Sequence, residues 1–235
     1  MPTLQMICLA NSYKLGGRCV AGLRADGKGW IRPVSETASG TLNARQYTCE
    51  GDVVAQPMDL IEIDVGDGRP LKYQRENVVL AGRRWRLLER PASVAYATIV
   101  RAAIVKAGPL LGGSGDRRHL DDFPDDKYAN SLALVAPVEI EWEKATNYRN
   151  KPQVRCHFKV GSYEYNLVVT DLAWISRFDN LTYGTHRSAE IGLRAGQRVL
   201  LCTSMAEPIA ATGNCFRLVA AVITPSLGWQ RALFA

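Results

Sequence analysis

The sequence predicts a mostly β protein with minor α, organised as two small barrel-like halves joined by a helix and a polar loop. Two observations carry this expectation. Short apolar or alternating runs separated by turn residues recur towards both ends of the chain, the pattern of small closed barrels. Between them, Ala92 to Ala107 is a longer stretch with few breakers. A chain of 235 residues with 47% hydrophobic content can bury one ample core or two small ones.

In the first half, expected over residues 1–90, Leu4 to Leu9 is a short apolar run and reads as a buried strand. Arg18 to Leu23 and Trp30 to Val34 flank Asp26-Gly27, a tight-turn signal, and read as a hairpin. Glu36 to Gln56 is polar and small, a connection with one short helix around Leu42 to Tyr47. Asp59 to Val65 alternates and stops at Gly66-Asp67-Gly68. Val78 to Leu80 and Arg84 to Leu88 complete the set, the last with Trp85 and Leu87 on one face and Arg84 and Arg86 on the other.

Residues 91–127 are expected to connect the halves. Ala92 to Ala107 is the helix, weakened by its β-branched residues. Gly112 to Gly115 then opens Asp116 to Lys127, whose five aspartates read as a solvated boundary or mobile loop. A protease is expected to cut first between Gly112 and Asp126. Over 128–235, strands are expected at Leu132 to Trp142, Gln153 to Val160, Tyr163 to Thr170, Gln197 to Thr203 and Phe216 to Ile223. A short helix from Asp171 to Phe178 is capped by Asp171.

Composition narrows the function classes. No apolar run approaches the roughly 18 residues of a membrane span, and the first cation is Lys14, so no basic leader precedes an apolar segment. A soluble cytoplasmic protein without a membrane partner is expected. The six cysteines contain no Cys-x-x-Cys pair and the three histidines are scattered, which favours reduced, buried thiols over a zinc site or disulfide framework. Asp125-x-Lys127 and the alternating Glu139, Glu141 and Glu143 read as solvated acids, so no metal and no cofactor are expected. Neither a phosphate-binding P-loop nor a dinucleotide fingerprint occurs.

A net charge of +6 favours an anionic partner. Its cations cluster in two places: Lys14, Arg18, Arg24, Lys28 and Arg32 against Asp26, and the stretch from Arg69 to Arg90 against Glu76 and Glu89. In the first cluster, Asn11 to Gly22 sets two polar residues, a lysine, Gly16-Gly17 and Arg18 between apolar runs, as in a loop whose backbone approaches a ligand. Six residues are the candidates for one ligand surface. Asn11 and Ser12 would supply hydrogen bonds, Lys14 and Arg18 would take an anion, and Trp30 with Arg32 would stack on a base. Arg83, Arg84 and Arg86 form a secondary basic face. The plainer reading leaves Trp30 in the core with Arg32 over it and Gly16-Gly17 as a flexible turn. Two other classes stay open: a nucleotide- or nucleic-acid-processing enzyme around Asn11, Lys14 and Arg18, and a protein-interaction subunit. Neither Ser12 with Lys14 nor Cys19 with Arg18 has a base beside it in sequence, so catalysis is not assigned.

Asn11-Ser12, Lys14, Gly17-Arg18-Cys19 and Trp30 to Ser35 resemble the N-terminal signature of the bacterial and archaeal dual OB-containing domain family. Val169 to Trp174, Leu200 to Pro208 and Cys215 to Ile223 are similar to its C-terminal half. The resemblance touches both ends of the chain and not residues 95 to 150. It implies two OB-like small barrels and a setting sometimes near defence or conflict systems, while the nucleic-acid or nucleotide partner is expected from the charge, the basic loop and the Trp30–Arg32 hairpin. The resemblance implies no particular reaction.

Overall fold

A computed structural model of the chain describes residues 2–82, 84–124 and 129–234. Arg83 and the Asp125-x-Lys127 fragment lie outside the described residues. The chain forms two compact units, one of Met1–Ala103 with Asp125–Asn130 and Pro225–Ala235, the other of Ile104–Pro124 with Ser131–Thr224. The boundaries therefore differ from 1–90, 91–127 and 128–235, because the segment expected to link the halves is divided between the two units.

In the first unit, β1 (Thr3–Lys14) runs into β2 (Gly17–Arg24) through the two-residue turn Leu15-Gly16. Both turn residues have positive φ, +44° and +81°, the geometry that matches the twist of a tight hairpin. The strand expected to end at Leu9 thus continues to Lys14, and the stretch expected to be a ligand loop is ladder except at its tip. Gly17 serves the protein's own chain. A Cβ there would lie 2.3 Å from the Leu42 carbonyl oxygen, and Arg18 and Leu42 exchange backbone hydrogen bonds of 2.9 Å in each direction.

The unit continues through β3 (Trp30–Val34), α1 (Ala44–Tyr47) and the short ladder of β4 (Thr48–Cys49) with β5 (Val53–Val54). It then adds β6 (Leu60–Gly68), β7 (Asn77–Leu80) and β8 (Arg86–Glu89). Helix α1 stands where the sequence placed it, opened by a capping box between Asn43 and Gln46. The strand order β1-β2-β3-β7-β6 returns from β6 to β1, which closes a five-stranded barrel with β8 outside it on β6. Strands β3 and β7 are parallel, the other barrel pairs antiparallel. Met6, Cys8, Val20, Ile31, Ile61 and Trp85 fill the interior. Only Ala97–Ala102 of the expected long helix is α-helical, as α2. The C-terminal helix, Leu227–Phe234, packs against this segment, and Trp229 Nε1 donates to the Ala92 carbonyl at 2.9 Å.

The second unit opens with β9 (Ile104–Val105), the β-branched end of the expected helix, which pairs in parallel with β11 (Leu132–Val135). Between them, β10 (Arg117–His119) pairs with the last strand. The remainder is β12 (Ile140–Thr146), β13 (Pro152–Val160), β14 (Tyr163–Val169), α3 (Leu172–Ile175), β15 (Gly184–His186), β16 (Leu200–Pro208) and β17 (Asn214–Ile223). Asp171 caps α3 as expected and also accepts from Val222 N at 3.0 Å. The expected strand Leu132 to Trp142 is broken around Pro137, its first part paired with β16 and its second with β13. In the first unit β1 makes both pairings unbroken, to β6 and to β2. Parallel β14–β17 repeats parallel β3–β7.

Residues 110–119 are built into this unit rather than forming a mobile loop. Arg217, 1% exposed, donates from Nη1 to the carbonyls of Gly115 at 2.7 Å and Arg117 at 2.9 Å, and from Nη2 to Leu111 at 3.3 Å. The Tyr165 hydroxyl accepts from Leu110 N at 2.6 Å and donates to the Gly113 carbonyl at 3.2 Å. Arg217→Ala is expected to strand these carbonyls, cost about 3 kcal/mol and open Leu110 to Arg117 to proteolysis. Denaturant melts and timed digestion test both effects, and an unchanged digestion pattern would contradict the pinning.

None of the six cysteines is joined in a disulfide, and Cys19 alone among them is not buried. Burial lifts the thiols of Cys49 and Cys215 to about 11 and that of Cys156 well above its ordinary value, so at pH 8 they hold their protons. A thiol reagent at pH 8 should therefore label Cys19 first, with one adduct on the folded chain by mass spectrometry. Gly17→Ala should destabilise by about 1–3 kcal/mol through overpacking against Leu42. Gly16→Ala, with open space around it, should cost about 1–2 kcal/mol from its positive φ alone and leave the Arg18–Leu42 amide protection intact. Equal loss of that protection in the two variants would refute the close-approach account.

Candidate functional site

The β1–β2 turn borders a groove of about 640 Å³ in the first unit. Its walls are Leu15, Gly16 and Gly17 on one side and the connection from Ser35 to Asn43 on the other, with Gln46 and Leu80 completing it. Hydroxyls crowd that connection: Ser35 Oγ lies 2.7 Å from Thr37 Oγ1 and donates to the Thr41 carbonyl at 2.8 Å. Two cations staple it. Lys14 Nζ donates to the Ser39 carbonyl at 2.5 Å, and Arg69 Nη1 donates to the carbonyls of Ser35 at 3.1 Å and Thr37 at 3.0 Å. Arg69 begins the β6–β7 connection, which thereby holds the Ser35 to Thr37 wall of the groove.

The six candidate residues are not brought to one surface. Residues opposite each other in an antiparallel ladder share a face, and neighbours along a strand do not. Tyr13 faces Arg18 across the hairpin, whereas Lys14 faces Gly17 and Ser12 faces Cys19, so Lys14 and Arg18 leave opposite sides of it. Asn11 donates to the Ala55 carbonyl at 2.8 Å. Ser12 is buried, with its hydroxyl directed at the Cys19 carbonyl at 3.4 Å. Trp30 is half-buried opposite Leu23, six residues from Gly17 and therefore about 20 Å from the turn at ~3.3 Å per residue. Arg32 is 2% exposed and paired at 3.4 Å with Glu76, itself buried, which corrects its expected role in stacking on a base.

On the secondary basic face, Arg84 and Arg86 point outward as expected and Trp85 points in. Both cations are engaged, Arg84 with Asp52 at 2.7 Å and Arg86 with Glu62 at 3.3 Å. Among the described residues, no group of three or more His, Cys, Asp or Glu side chains could hold a metal ion. No described helix is long and apolar enough to cross a membrane.

Sequence reasoning missed two tyrosines. Arg18 sits 5.7 Å from the ring centre of Tyr47 and shares its face with Tyr13, which is 53% exposed. This arrangement sets a guanidinium against the Tyr47 ring and cross-strand from Tyr13, which is open to solvent, and Arg18 and Tyr47 directly follow Gly17 and Gln46 of the groove lining. Extending β1 to Lys14 would have exposed the Tyr13–Arg18 pairing in the sequence. The contact with Tyr47 is tertiary and leaves no local signal.

No curated protein matches the chain. Among solved structures, a murine DNA-binding protein bound with double-stranded DNA aligns over 96% of this chain and 100% of that one, at 10% identity and a TM-score of 0.30. A likeness that slight carries no argument about fold or ligand. The description of the dual OB-containing domain matches residues 4–222, a span that takes in the strands of both units. The chain belongs to the dual OB-containing domain family.

Proposed function

We propose that the first barrel binds nucleic acid at the groove beside the β1–β2 turn. The observation that carries the proposal is the Tyr13–Arg18–Tyr47 arrangement, in which Arg18 and Tyr47 directly follow Gly17 and Gln46 of a hydroxyl-lined groove. Small OB barrels take oligonucleotides on the face of their second and third strands, with the loop between their first two strands and the loop between their last two. Here those loops are the Leu15-Gly16 turn and the connection that begins at Arg69. The net charge of +6 favours a polyanion as partner. Arg18 contacts phosphate or stacks on a base beside Tyr13. Lys14, held by the Ser39 carbonyl, adds positive charge from the other face, and the hydroxyls of Thr37 and Ser39 meet polar base or sugar groups. Asn11 and Ser12 position β1 beneath this contact, while Trp30 and Arg32 support the sheet.

Titration of a single-stranded oligonucleotide at several salt concentrations tests the proposal. Affinity should fall steeply with salt, and Arg18→Ala should reduce the slope of log affinity against log salt by about 0.7 for each phosphate that Arg18 neutralises. Tyr13→Ala should weaken binding by about 1–3 kcal/mol per stacked base and leave the slope unchanged. Melting curves must accompany both variants, since Arg18 also bonds to Leu42 through its backbone. A folded Tyr13→Ala, Arg18→Ala chain with unaltered affinity and salt slope would overturn the groove as the site.

A further inference from the structure

We infer that the second barrel carries a stacking surface for single-stranded nucleic acid of its own, at the hairpin tip between β12 and β13. The inference does not rest on the groove of the first barrel. Tyr148 at this tip is 88% exposed, and the Arg149 guanidinium lies 5.1 Å from its ring centre. The tip is shaped in advance: Asn147 Oδ1 accepts from the backbone N–H groups of Arg149 at 2.8 Å and Lys151 at 3.1 Å, an Asx turn that holds Tyr148 outward.

A second exposed tyrosine lies at the same end. Tyr183 is 57% exposed and immediately precedes β15, which pairs Gly184 with Lys144 on β12. Continuing that register puts Tyr183 opposite Ala145, next to the last residue of β12 before the tip that carries Tyr148. Lys144 Nζ sits 5.5 Å from the Tyr183 ring centre. It donates to the carbonyls of Phe178 at 2.7 Å, Asp179 at 3.2 Å and Leu181 at 2.8 Å, which fixes the cation in place. Each exposed ring therefore has a cation beside it.

Charge distinguishes the tip from the neighbouring strand face. On the face of β12, β13 and β14, Glu143 meets His157 at 2.9 Å, and Lys159 meets Glu164 at 3.2 Å and Glu139 at 3.7 Å. Compensated in this way, that face has little pull on a polyanion. Arg149 and Lys151 at the tip are exposed, and no carboxylate pairs with either of them among the described residues. Aromatic rings that stack on bases, together with cations that meet phosphate, are the chemistry of single-strand recognition.

The test uses the full chain and a five-nucleotide single strand, titrated by calorimetry beside an abasic strand of the same charge. The unmodified chain should bind two strands. Tyr148→Ala combined with Tyr183→Ala, both exposed and so expected to leave the melting curve unchanged, should retain one. In an Arg18→Ala background the remaining binding should fall at least tenfold on loss of the two tyrosines, and should discriminate at least tenfold against the abasic strand. If that remaining binding is indifferent to the tyrosines, or if none remains in the Arg18→Ala chain, the tip is not a nucleic-acid site and the groove reading stands alone. If Arg18→Ala changes nothing while the tyrosine pair abolishes binding, the groove reading fails and the tip stands.

Discussion

Closing a small barrel through a parallel strand pair is the constraint on which the rest of this molecule depends. In the first unit β3 must lie beside β7, and Arg32 N donates to the Glu76 carbonyl at 2.9 Å where they meet. The Arg32 side chain is enclosed there with that of Glu76. In the second unit Arg217 adjoins Leu218, the residue that pairs β17 with β14, and its guanidinium is enclosed among backbone carbonyls. Desolvation pulls the Arg217 pKa below its ordinary value, the expected sign for a cation without a carboxylate in contact. A buried charge is tolerated only when paired or hydrogen-bonded, so each arginine ties its closure to a particular distant segment.

That requirement decides which cations are open to a partner. Arg32 belongs to one of the two basic clusters of the sequence, yet it is spent inside the barrel, and Arg69 and Lys14 hold the connection between β3 and α1. Arg84 and Arg86 face carboxylates, as does Lys159 in the other unit. Exposed ion pairs of this kind add little stability, but they remove local positive potential. Among the cations that no described carboxylate pairs, Arg18 and Arg149 lie in or beside a hairpin tip and each accompanies a tyrosine.

The two barrels repeat an arrangement without repeating a sequence. Both pair the first strand with the second and the fourth, and the third with the fifth in parallel. The first strand achieves this differently in each. In β1 it is continuous with an irregularity between Cys8 and Ala10, whereas in the second unit it breaks around Pro137, which has no N–H to give a ladder.

Local pattern was enough to expect the barrel strands, the short α1, the Asp171-capped α3, the inward Trp85 and the burial of most of the thiols, because period-2 alternation, turn residues and caps act over a few positions. Family resemblance added that the strands form OB barrels. Tertiary structure decided the rest. Gly17 carries the same local signal whether its neighbour is a ligand or the Leu42 carbonyl, and only folding shows it to be the carbonyl. Arg32 looks like a surface cation until Glu76 is brought beside it, and Leu110 to Arg117 looks like a free loop until Arg217 and Tyr165 take up its backbone groups. In each case the deciding partner is far away in sequence, where neither periodicity nor composition can register it.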